Sequence, residues 1–107
     1  MNVFEASPPG MAKELARMST ASLAFFHKQG CSPCADVMPH VRDVAGRFPA
    51  LHVYLVDVTN GSEGVHGYTN GGTPLVVLFD ERGLEVWRWR GGSVTADKMA
   101  TVIEEEL

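Results

Sequence analysis

The apolar residues of this chain change their period several times, and each change marks an element. Met11, Leu15 and Met18 recur at helical spacing behind the breaker cluster Pro8-Pro9-Gly10, which predicts a first helix over about residues 10–19. Leu23-Ala24-Phe25-Phe26 is continuously apolar, the pattern of a short strand buried on both faces. Cys34, Val37, Met38, Val41, Val44, Ala45 and Phe48 then return to a helical period and predict a helix with one side on a core. Pro39 lies within that stretch. It lacks a backbone donor and crowds the turn before it, so a kink is expected there.

The second half begins with Leu51–Val58, which reads as another central strand. Gly61, Gly64, Gly67, Gly71 and Gly72 make regular helix costly between Thr59 and Thr73. A loop is expected there, with at most one short helical turn near Ser62–Tyr68. Leu75–Phe79 reads as a strand, Asp80–Gly83 as a hairpin turn, Leu84–Arg90 as the partner strand, and Gly91-Gly92 as its end. Thr95 is the expected N-cap of a closing helix, with Asp97 in the first turn and Met99, Val102, Ile103 and Leu107 as its apolar stripe. Glu104-Glu105-Glu106 oppose the dipole at the C-terminus of that helix and predict fraying. With a strand at the start of the chain, this order predicts an α/β fold whose sheet carries helices on both faces.

Composition narrows the class without changing the fold. The 107 residues fit a single domain over 1–107, large enough to bury an apolar core without metals or structural disulfides. A net charge of −4 gives no basic surface for nucleic acid or for an anionic membrane, and Arg88 with Arg90 is too small a cluster to alter that. Met1-Asn2-Val3-Phe4-Glu5 shows no signal-peptide pattern, and the longest apolar runs are too short to span a bilayer, so the expected compartment is the cytoplasm.

The chemistry rests on the two cysteines, Cys31 and Cys34. A disulfide between them closes a very short loop and is poor structural reinforcement, so the pair either does chemistry or forms half of a metal site. Cys31 follows directly on a buried strand and opens a helix. Backbone N–H groups and the positive end of the dipole there favour a thiolate, which is the nucleophilic form. Cys34 comes round one turn to meet it and can release a mixed disulfide that Cys31 has formed. Pro33 suits the first helical turn, where no N–H is required. His27 and His40 are near enough to suggest a metal site, but the spacing lacks a second ligand pair of any recognised type. No metal or other cofactor beyond the redox-active pair is expected.

Together these features resemble the thioredoxin family, over the length from Leu23–Phe26 to the closing helix. Cys31-Ser32-Pro33-Cys34 follows an apolar strand, and Pro39 lies five residues beyond the second cysteine. Asp57 ends the next strand, Thr73-Pro74 precedes another, and Gly91 closes the last hairpin. The resemblance implies a thioredoxin fold with a central mixed sheet, Cys31 as the exposed nucleophile and Cys34 as the buried resolving thiol. It also implies a cis Thr73–Pro74 bond against the pair, with the Thr73 backbone pairing with an extended substrate. Ser32 and Pro33 complete that substrate rim. The implied activity is thiol–disulfide exchange that reduces protein disulfides, with a separate protein as reductant. A fold of this kind that holds partners without turnover is the alternative.

Several positions depart from the family pattern. Phe25 stands where the family carries a buried Asp, Gly30 and His27 stand where it carries tryptophans, and Ala35-Asp36 follow the second cysteine. With no acid beneath the motif, His27 becomes the candidate base for resolution, alongside water. His40, His52 and His66 read as surface or packing residues. Trp87 and Trp89 share one face of their strand and read as core packing or an edge cover rather than a binding platform, with Arg88 and Arg90 opposite.

Overall fold

Leu23–Phe26 becomes the centre of the sheet because it has no polar side to turn towards water. The structure, a computed structural model, describes residues 2–7, 20–60 and 72–107. Its strands are β1 (Val3–Ala6), β2 (Ser22–His27), β3 (His52–Asp57), β4 (Leu75–Phe79) and β5 (Glu85–Arg90). Its described helices are α1 (Ser32–Arg47) and α2 (Ala96–Glu106). The strands form one sheet in the order β1-β3-β2-β4-β5. Both β1 and β2 run parallel to β3, whereas β4 is antiparallel to β2 and β5 to β4. Phe25 thus lies between Leu55 and Val76, and every residue from Leu23 to Phe26 is fully buried.

The pleat divides the core in two. Leu23, Phe25, Val53, Leu55, Val76 and Leu78 face one side, where α1 packs Cys34, Val37, Val41, Val44 and Ala45. The same cluster takes Ala96, Met99, Val102 and Ile103 from α2. Ala24, Phe26, Tyr54, Val56, Leu75, Val77 and Phe79 form a second buried cluster on the opposite face. Both described helices therefore serve the first face. The helix expected over 10–19 and the glycine-rich crossover with its turn near Ser62–Tyr68 lie outside the described residues.

Strand ends and one register differ from the pattern reading. Leu51 lies in the turn before β3, donating its N–H to the Phe48 carbonyl at 3.0 Å. Leu84 also belongs to a turn, 54% exposed, with its N–H bonded to Asp80 Oδ1 at 3.0 Å. A bulge near Leu78/Phe79 lets both Val86 and Trp87 pack against the first-face core, where strict alternation would send them to opposite sides. Helix α1 continues through Pro39. Thr95 caps α2 as expected, its Oγ1 accepting the Lys98 N–H at 3.2 Å, and the helix extends through the three glutamates to Glu106.

Candidate active site

At the end of β2 the chain leaves the core through Lys28-Gln29-Gly30, all exposed, and Gly30 takes φ +75°. Glycine tolerates that left-handed backbone without strain. Cys31 follows in extended conformation as the N-cap of α1, and its Sγ accepts the Cys34 N–H at 3.2 Å. A side-chain acceptor at this position satisfies one of the helix's orphan donors, here with sulfur in the usual oxygen's place. Cys31 and Cys34 are joined by a disulfide with their Cα atoms 5.2 Å apart. The two sulfurs have unequal surroundings: Cys31 is half-buried, whereas Cys34 is only 4% exposed and belongs to the first-face core. Ser32 and Pro33 between them are exposed.

The Thr73–Pro74 peptide bond is cis. Pro74 is buried, and the Thr73 hydroxyl donates to Cys31 Sγ at 3.6 Å. The segment is pinned from β5: the Gly91 N–H donates to the Pro74 carbonyl at 2.9 Å, and the Arg90 guanidinium donates to the Gly72 carbonyl. Cys31, Ser32, Pro33, Thr73 and Pro74 are thereby gathered at the end of the sheet where β2 finishes and β4 begins.

No family model and no curated protein matches the sequence, whereas solved structures do. A thioredoxin from Fasciola hepatica is 25% identical, with a TM-score of 0.78 and full coverage of both chains. A thioredoxin pre-protein from Schistosoma mansoni is 18% identical, with a TM-score of 0.82 and full coverage of both. Chloroplastic thioredoxin z is also 18% identical with a TM-score of 0.82, over 98% of this chain and 94% of its own. The fold is the thioredoxin fold. The mixed sheet, the position of the CxxC pair and the cis proline expected from the sequence all stand within it.

Other expected residues of this thioredoxin fold fall less simply. The His27 ring stacks on Phe25, with centroids 5.3 Å apart, and no hydrogen bond joins it to either cysteine among the described residues. Burial pulls its pKa below the ordinary imidazole value, against the opposing pull of Asp57 and Glu5. Phe25 is fully buried and belongs to the same core cluster as Cys34. His40 has a structural partner, since its Nδ1 accepts the Ala96 N–H at the start of α2 at 3.1 Å. His52 packs with Phe4 and Tyr54, and His66 lies outside the described residues. Trp87 and Trp89 pack against the first-face core, while Arg88 pairs with Glu85. Among the described residues, no three His, Cys, Asp or Glu side chains gather to hold a metal ion, and no helix is long and apolar enough to cross a membrane.

Two features of the site go beyond what the sequence pattern revealed. A Cβ on Gly92 would sit 2.8 Å from Pro33 Cβ, so only glycine lets this loop approach the motif so closely. The signal was present in the doubling: Gly91, at φ +111°, serves the turn, which leaves its neighbour to be explained by contact. The other is a polar chain from Gln29 through Thr59 to Asp57, which joins two loops far apart in sequence.

Proposed function

We propose that this protein is a thiol–disulfide oxidoreductase that reduces disulfides in other proteins. The carrying observation is the unequal placement of the sulfurs, Cys31 half-buried at a helix N-terminus and Cys34 buried beneath it. In the reduced form, the Cys31 thiolate attacks one sulfur of a substrate disulfide. A mixed disulfide forms and the other substrate sulfur leaves as a thiolate. Cys34 loses its proton and attacks Cys31 Sγ, which releases the second substrate thiol and leaves the Cys31–Cys34 disulfide. A separate protein reductant then supplies two electrons and two protons. No cofactor beyond the cysteine pair takes part.

Ser32, Pro33, Thr73 and Pro74 form the substrate rim. The Thr73 backbone pairs with an extended segment of the substrate, much as an added strand would. Its hydroxyl, which bonds Cys31 Sγ at 3.6 Å, also helps hold negative charge on that sulfur after reduction. A reducing compartment, the cytoplasm, suits this direction of exchange.

Iodoacetamide at neutral pH should modify Cys31 of the reduced protein well before Cys34, as read by mass spectrometry of the peptides. Cys34→Ser should accumulate mixed disulfides through Cys31 when offered a disulfide-bonded protein. Equal alkylation of the two cysteines together with no trapped substrate would overturn the proposal.

A further inference from the structure

The turn that delivers Cys31 has no apolar anchor. Lys28, Gln29 and Gly30 are all exposed, so burial cannot fix the path from β2 to the nucleophile. Hydrogen bonds from the β3 side hold it. The Val58 N–H donates to the His27 carbonyl at 2.8 Å, and the Gln29 N–H donates to Thr59 Oγ1 at 2.9 Å. Thr59 is itself fixed. Its N–H donates to Asp57 Oδ1 at 2.8 Å, and its hydroxyl donates to the same oxygen. A threonine hydroxyl has a single proton. With that proton committed to Asp57, the lone pairs of Oγ1 are turned towards Gln29.

We propose that Thr59 is a positioning residue for Cys31, acting through Gln29 and oriented by Asp57. Two residues after that bond, Cys31 must present its sulfur both to the Cys34 N–H and to the Thr73 hydroxyl. Those contacts favour the thiolate only while the turn keeps its path. Releasing Gln29 lets the turn move and weakens both contacts without touching either cysteine. This inference rests on Cys31 being the attacking thiol.

The test compares wild type, Thr59→Val, Thr59→Ser and Asp57→Ala, all reduced. The rate of Cys31 alkylation is followed against pH, and kcat/KM is measured for reduction of insulin. Thr59→Val keeps the side-chain shape and removes the oxygen. It should lower kcat/KM about tenfold, the scale on which small misplacements of reacting groups act. It should also shift the alkylation profile to higher pH. Asp57→Ala should do the same, and Thr59→Ser should restore both measurements. Wild-type behaviour in Thr59→Val, or failure of Thr59→Ser to restore it, overturns the proposal. If wild-type Cys31 is not the preferred alkylation site, the oxidoreductase reading fails instead, whatever Thr59→Val does.

Discussion

In the reaction proposed above, Cys34 must lose a proton inside the core cluster that also holds Phe25. An apolar site favours the neutral thiol over the thiolate, and no carboxylate is buried among the described residues to take the proton. Resolution should therefore accelerate as pH rises past neutrality, with mixed disulfides long-lived below it. Single-turnover reduction of a disulfide peptide checks this, and a flat profile would contradict it. Phe25→Asp should cost at least about 3 kcal/mol, since it removes a buried ring and adds an unpaired acid. It should also speed resolution in the molecules that remain folded. Urea titration and the same single-turnover assay measure the two effects. His27 has a different signature. Its folded pKa lies below its unfolded value, so acidification protonates the unfolded chain first and draws stability away as pH falls through that range. From about pH 7.5 to pH 5, wild type should lose more stability than His27→Gln. Gly92→Ala should lower both the melting temperature and disulfide reduction, because Pro33 cannot retreat without moving the first turn of α1.

Helix α2 shows how two elements share one helix end. Its N-terminal donors are met by Thr95 from the helix's own cap and by His40 from α1. Thr95→Ala should cost about 1 kcal/mol, and His40→Ala a similar amount, about 1 kcal/mol. Chemical denaturation measures both. The Thr95 cap was readable because it depends on residues within one turn. The His40 contact was not, because it spans 56 positions and follows from the packing of two helices. The same distinction holds elsewhere. β2, β4, α1 and α2 were legible because Leu23–Phe26, Leu75–Phe79 and the helical stripes carry their periods locally. β1 shows no alternation, being half-buried at its ends and exposed in the middle, and it is defined by its pairing with β3. At the site, the cysteine pair and Thr73-Pro74 were visible as residue types in order. Thr59 was not, since a hydroxyl that accepts from a backbone amide 30 residues away leaves no pattern in the sequence.

Across the whole molecule, Asn2 ties the start of the sheet to the far end of α1. Its side-chain nitrogen lies 2.9, 3.0 and 2.8 Å from the carbonyls of Ala45, Phe48 and Leu51, and its own carbonyl accepts from Val53. Asn2→Ala leaves those carbonyls without this donor and should cost about 1–2 kcal/mol, read as a lower urea midpoint. The short ring closed by Cys31 and Cys34 has a consequence on the same scale. Oxidation removes conformations from the unfolded chain that the native turn has already given up, so the oxidised protein should resist urea better, by about 2 kcal/mol for so small a loop. Oxidation and unfolding are two sides of one thermodynamic cycle. Whatever the bond adds to the persistence of the fold, the fold returns to the persistence of the bond. The native pair should therefore part with electrons more readily than the same two cysteines in the unfolded chain, by about 40 mV. Urea curves of the two forms, a measurement containing no substrate at all, thus report the direction in which folding shifts the potential of the pair. A reduced form that outlasts the oxidised one would mean that the fold shifts the pair towards accepting electrons, against the direction proposed for it.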